Sequence, residues 1–220
     1  MNQPFDFYEK HFASIRMKEY LLHFEGDQEL AKRLYIWNNA ISAAFWELIS
    51  FVEVSLRNVL SGSLEQRQSR LNPQREWVFD SASRLFEENP RMATSIEQAC
   101  LRIEKNKKEI TSQQVISELT FGFWCQLLAK QNSYLRPDFA SSFGGLSTRN
   151  LEIVAKRVFE IRDLRNRIGH HHRIYNLDLV QKHENLLRLA TYIDPDFGVW
   201  LAGKSRVAEL LALHPHRVSA

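Results

Sequence analysis

From Leu30 onward, apolar residues recur every three or four positions: Leu34, Trp37, Ile41, Ala44, Phe45, Leu48, Ile49, Val52, Leu56 and Leu60. That spacing keeps returning to one face of a helix. It predicts an amphipathic helix from Asp27 to about Leu64, roughly ten turns at about 3.6 residues each, able to bend and to act as the spine of a bundle. A shorter helical segment, Phe5 to Phe24, precedes it, with Glu25-Gly26-Asp27 as the break and Asp27 as the N-cap.

After Leu71 the pattern lapses over a stretch where two Asn-Pro pairs mark turns around a short helix or extended piece. Helical periodicity returns from about Ala93 to Lys107 and again from Ser112 to Lys130, with Thr111 or Ser112 as cap. Gln131 to Ser147 reads as loop, carrying Pro137 and Gly144-Gly145, and Ser147-Thr148 supply the next N-cap. A helix then runs to Gly169, where a glycine suits a left-handed cap. Further helices are expected over Leu177 to Ile193, after the Asp194-Pro195 cap signature, and over Ser205 to Leu213. The fold class is all-α, since no alternating run is long enough for a sheet.

Composition narrows the picture without changing it. Eight glycines and six prolines in 220 residues leave few connections, which favours long helices, and the length suits one domain, 1–220, with peripheral helices in 195–220. Cys100 and Cys125 lack metal-ligand spacing and read as reduced thiols, placing the chain in the cytoplasm. No basic n-region with an apolar run opens the chain and no uncharged apolar window of membrane-spanning length occurs, so neither secretion nor a membrane is expected. A net charge of +3 permits binding to a polyanion without requiring it.

Candidate chemistry gathers at Leu164 to Asn176, LRNRIGHHHRIYN. Arg162, Asn166 and His170 are spaced by four and share a helix face, whereas Arg165 lies about 140° around the helix from His170. The Asn166 amide is expected to hydrogen-bond the His170 imidazole. For Arg165 to meet the same ligand the helix must end or distort, a freedom ascribed to Gly169. Histidine in general exchanges protons near neutral pH and arginine forks onto phosphate oxygens. That pair suits RNA cleavage by the substrate's own 2′-hydroxyl. A histidine followed by arginines on a helix is more often a solvated polar face. No ligand-spaced His or Cys set supports a metal site, and no cofactor is called for.

The run Arg165-Asn166-Arg167-Ile168-Gly169-His170 resembles the Arg, four residues, His motif of the HEPN superfamily, and specifically its Abi-like (abortive infection, AbiD/AbiF-type) branch with its doubled histidine. Three other segments resemble that branch in the same order. They are Tyr35-Ile36-Trp37-Asn38 leading into Glu53-Val54-Ser55-Leu56-Arg57-Asn58, then Glu118 to Trp124, then Ile193 to Phe197 followed by Ser205-Arg206-Val207. The resemblance implies a HEPN-like helical bundle, a metal-independent endoribonuclease and a role in defence against phage, with an antitoxin, protein or RNA, as a further partner. It carries over Arg165 and His170 as catalytic and Asn166 as orienting, with His171 matching the second histidine. His172-Arg173 stand where the family often has Glu-Pro, adding positive charge beside the site.

Supporting residues have plainer readings beside the functional ones. Arg162 shares the site's face; Glu53 and Arg57, four apart, form a stabilising helical pair whatever else they do. Phe121-Gly122-Phe123-Trp124 reads as core before base-stacking platform. Arg102, Lys105, Lys107 and Lys108, and Arg173 near the site, read equally as an RNA track or as solvated surface. One chain carries one Arg165/His170 set, while in-line cleavage profits from proton-transfer groups on both sides of the phosphate, so a homodimer acting on RNA is expected.

Overall fold

The computed structural model describes residues 3–215, and among them it contains twelve α-helices, two short 3-10 turns and no strand. The all-α class is as the periodicity indicates. Its spine is α3, Gln28–Leu71, capped by the Asp27 carboxylate, which accepts from Leu30 N at 3.0 Å. The helix spans 44 residues, about 66 Å at 1.5 Å rise, and continues seven residues past the predicted Leu64. It stops at Asn72, which leaves the helical region (φ −150°, ψ 80°) ahead of Pro73, a position where a proline disfavours helix. An apolar window of mean hydropathy 1.2 makes α3 long and apolar enough to cross a membrane by length and composition. Its inward stripe from Ile41 to Leu60 is instead covered by other helices.

The expected single N-terminal helix is two, α1 (Phe5–Phe12) and α2 (Ser14–His23), broken at Ala13 with φ 70°. The break sends both Tyr8 and Tyr20 against Tyr35 of α3, each edge-on. After α3, a 3-10 turn at Trp77–Phe79 and α4 (Arg84–Glu88) lead into α5 (Pro90–Lys105), which begins three residues earlier than the periodicity indicates because Pro90 fits a first turn. The segment read as one helix over 112–130 splits into α6 (Ser112–Glu118) and α7 (Phe121–Leu127), with Leu119 and Thr120 extended between them. α7 is buried round most of its circumference, with only Gly122 and Gln126, four apart on one edge, reaching the surface. Phe121, Phe123, Trp124, Cys125 and Leu127 are all inside, which a straight extension of the half-exposed α6 could not achieve. The aromatic run is therefore core. Burial pushes the Cys125 thiol up to about 12, leaving it protonated; both cysteines are free.

The stretch read as loop holds a 3-10 turn at Lys130–Leu135 and α8 (Arg136–Ala140), and Asn150, not Ser147 or Thr148, caps α9 (Leu151–Gly169). α10 (Leu179–Ile193) is capped by Asp178 and α11 (Pro195–Lys204) by Asp194. α12 (Val207–Ala212) follows Ser205, whose Oγ accepts from Val207 N. Helices in the expected C-terminal region thus occupy 195–212, while 216–220 lie outside the described residues. Around α3, α1 and α2 pack towards its start, α10 and α12 along one side, and α7, α8 and α9 along another.

Two expected outcomes follow from this packing. Gly144 and Gly145 donate to the carbonyls of Ile193 and Tyr192, and a Cβ on Gly145 would lie 1.8 Å from Thr191 O, against 3.8 Å for the nearest neighbour of one on Gly144. Gly145→Ala should cost at least about 1–3 kcal/mol of overpacking and Gly144→Ala much less, as thermal melts will read. Likewise, His183 Nε2 sits 2.7 Å from Ser205 Oγ, latching α12 to α10, and burial lowers the His183 pKa from the ordinary 6.5 despite Glu184 nearby. Between the two values the unfolded chain binds the proton more readily. Stability should therefore fall as pH drops below about 6.5, and chemical denaturation should show a shallower fall in His183→Gln.

Candidate active site

α9 delivers the candidate residues, and α3 decides how they stand. Arg162 lies over the Phe159 ring at 4.8 Å and pairs with Asp163 at 2.9 Å. Half-buried Arg165 turns onto α3, its Nε 3.8 Å from Glu53 Oε2 and its guanidinium carbon 5.3 Å from the centre of the Trp46 ring. That Nε is buried without an acceptor. The arginine is thus held by a carboxylate and an indole while its terminal nitrogens carry no hydrogen bond among the described residues. Burial holds the Glu53 carboxyl above the ordinary range, an effect that Arg165 and Arg57 only partly offset. The expected Glu53–Arg57 pair is not what forms: among the described residues the ion-pair partner of Glu53 is Arg165, because α9 brings that guanidinium in from outside the helix.

The end of α9 departs from expectation. Gly169 is helical, and the reversal falls two residues later at His171, with φ 55°. His171 N donates to Ile168 O at 2.9 Å and His172 N to Arg167 O at 2.8 Å, the paired bonds of a Schellman cap, with histidine where glycine is usual. Arg16 Nη1 donates to His171 O at 2.6 Å and so secures the strained residue. A Cβ on Gly169 would make only an ordinary 3.6 Å contact with Trp46, so Gly169 is not the hinge. His170 is exposed, with its ring 5.8 Å from that of His172. The expected Asn166 amide bond to His170 does not form: Asn166 is exposed, and the bond between the two runs through the backbone, His170 N to Asn166 O.

Beyond His172 the chain returns to the core at Ile174. There Asn38 Oδ1, buried in the first third of α3, accepts from both Ile174 N (2.8 Å) and Tyr175 N (3.1 Å). Arg173 pairs with Glu19 at 2.6 Å, and Arg167 Nη2 holds the Arg173 carbonyl at 2.9 Å. One end of α9 therefore gathers Arg165, Glu53, Trp46 and Arg57 on one side, and exposed His170 with His172 and Arg173 on the other. The remaining basic candidates lie elsewhere. Arg102 is spent on Glu118, and exposed Lys105, Lys107 and Lys108 end α5, which packs chiefly on α4 and α6. Among the described residues no three His, Cys, Asp or Glu side chains converge as a metal-binding group.

Arg16 and Glu19 carry no local signal of a site role, and Asn38 stands out only as the end of the family-like segment Tyr35-Ile36-Trp37-Asn38. Trp46 has a partial signal, since it sits beside the inward stripe, next to Phe45, where a surface position would usually be polar.

The fold and this helix end define an all-α protein built to present arginine, histidine and tryptophan around one exposed turn. The chain belongs to the Abi-like protein family, whose profile matches residues 5–176. The match ends just past the two residues held by Asn38, so it contains every element of the site and excludes α10, α11 and α12. Of the four resembling segments, the one at 193–207 lies beyond it. No curated protein and no solved structure matches the chain significantly.

The positions of Gly169 and His171 give a paired expectation. Gly169→Ala should leave stability unchanged or raise it by up to about 1 kcal/mol, as for any helical glycine. His171→Val should lower it, since a β-branched residue tolerates the left-handed conformation less well than histidine does. Denaturant midpoints in the reverse order would place the reversal at Gly169.

Proposed function

We propose that this chain is a HEPN-type endoribonuclease of the AbiD/AbiF kind, acting in abortive infection or as a toxin restrained by an antitoxin, protein or RNA. The observation that carries the reading is Arg165, gripped by Glu53 and Trp46 with its terminal nitrogens uncommitted, on the helix whose end exposes His170. A guanidinium fixed in this way meets phosphate oxygens without reorganising, and stabilises the charge that builds as a 2′-hydroxyl attacks phosphorus. The P–O5′ bond then breaks, leaving a 2′,3′-cyclic phosphate on the upstream product and a 5′-hydroxyl on the downstream one. An imidazole moves the proton. Glu53 acts as a positioning residue for Arg165.

Arg165 faces α3 while His170 stands at the helix end, so a second copy would supply the missing group across the phosphate. Phe51, Val54 and Trp200 are exposed next to this face, with Phe51 and Trp200 in edge-on contact at 5.0 Å. On α3, Phe51 and Val54 lie roughly 80–140° around from Trp46, and with Trp200 of α11 they leave an apolar strip for a two-fold contact beside the site. The alternative, a non-catalytic RNA- or protein-binding module, draws on the same separation of Arg165 from His170 within one chain.

The test is incubation of the protein with defined single-stranded RNA in a chelator. Cleavage should persist, spare DNA and 2′-O-methylated RNA, and leave cyclic phosphate ends. His170→Ala should lose turnover by about 10²-fold or more while keeping RNA affinity, whereas Arg165→Ala should lose both. RNA bound but uncut by the wild type would favour the binding module, and cleavage restored only by magnesium would refute the mechanism.

A further inference from the structure

Two clefts meet at the His171–His172 turn, and their chemistries are complementary. One, of about 390 Å³, lies between α3 and the end of α9 and is walled by Asn39, Ser42, Trp46, Gly169 and the two histidines. The other, of about 320 Å³, lies on the far side of the same histidines, against α2, where Arg16, Arg167 and Arg173 face Glu19 and Tyr20. Both are near the lower end of the roughly 300–1,000 Å³ usual for small-molecule sites.

The first cleft is neutral apart from its shared histidines. Trp46 is 41% exposed, the Asn39 amide nitrogen is spent on Tyr35 O, and among the described residues the Asn39 oxygen and the Ser42 hydroxyl have no hydrogen-bond partner. A flat aromatic face with a hydrogen-bond acceptor and a hydroxyl at its edge fits a nucleobase, stacked and read along its rim. The second cleft holds three guanidiniums against one carboxylate. Arg173 takes up Glu19, and Arg16 and Arg167 each commit one terminal nitrogen to a backbone carbonyl and keep the other. That fits a phosphate. A ligand reaching into both across one turn needs a flat neutral part and an anionic part on a short linker. Asn39, Ser42, Trp46, Glu53 and Arg57 also fall within about 60° of one line along α3, so the Arg165 clamp lies further along the same face of that helix.

We propose that the Trp46 cleft takes one base of a bound RNA strand and the Arg16–Arg167–Arg173 cleft the phosphate joined to it, so that this pair of clefts selects which nucleotide lies beside Arg165. The proposal rests on the reading of RNA as the ligand, but not on cleavage.

Binding of 2′-O-methylated hexamers of A, C, G or U, followed by fluorescence anisotropy with the four mononucleotides as competitors, tests it without turnover. The wild type should prefer one base, and Trp46→Ala should weaken that hexamer about tenfold or more, towards the other three. Trp46→Phe, which keeps a stacking face, should retain most of the preference, and Asn39→Ala should flatten it. Arg16→Gln should weaken all four alike and reduce the salt dependence. Trp46→Ala binding all four hexamers as the wild type does would overturn the proposal. So would loss of dimer mass in Trp46→Ala with base preference intact, which would make the cleft a subunit contact, or mononucleotides binding as tightly as hexamers, which would make the ligand a free nucleotide. RNA cut by the wild type but bound without Trp46 dependence would sink the subsites and leave the ribonuclease reading. Trp46-dependent base preference with no cleavage would do the reverse.

Discussion

Everything distinctive about this molecule hangs on one buried amide. Asn38, in the interior of α3, turns its side-chain oxygen to two consecutive backbone N–H groups 136 and 137 residues later, at Ile174 and Tyr175. Each such bond contributes about 1 kcal/mol net, but leaving either N–H buried without a partner costs about 1–3 kcal/mol. With both satisfied by one oxygen, the chain enters the core in one register, Ile174 is fully covered, and the three histidines before it stay outside as a tight turn. Arg16 and Arg167 add to the hold by occupying the carbonyls of His171 and Arg173. The turn is laced from α2, α3 and α9 at once. This offsets the cost of a left-handed histidine where glycine would be easier, and backbone strain kept in this way is a common mark of functional sites.

Much of the fold was legible because its signals are local. Asp27 and Asp194 announce helix starts through their carboxylates, Pro195 through its fixed φ, and the stripe from Leu30 to Leu60 through its period. What was not legible depends on tertiary burial. Nothing in Ala13 itself predicts a positive φ, and the break at Leu119-Thr120 arises because α7 buries all but its Gly122–Gln126 edge and must leave the line of the half-exposed α6 to be covered. Asn150 outranks Ser147 and Thr148 as a cap although all three types are good caps, a choice made by where the preceding loop is fixed against α10.

The site shows the same division. Arg165 and His170 could be placed on one helix end from spacing alone, and the Abi-like family match covers that whole region. Their directions could not be read, since they depend on α3. Trp46 and Glu53 draw Arg165 away from the helix end, and Arg57 is left to act on Glu53 electrostatically without an ion pair. Gly169 attracted the hinge role because glycine usually takes it, yet the hydrogen-bond pattern assigns it to His171. The basic run at the end of α5 looked equivalent to the site in charge and is remote from it in packing. Charge along a sequence does not say which helix lies beside which.

The dependence of the histidine turn on Asn38 is measured most directly by amide hydrogen exchange in Asn38→Leu, which keeps the side-chain volume and removes the acceptor. Loss of protection at Ile174, Tyr175 and the adjoining histidines, larger than at the α3 and α9 core positions such as Leu48 and Leu164, is the result this account predicts. Wild-type protection at Ile174 and Tyr175 in that variant would contradict it.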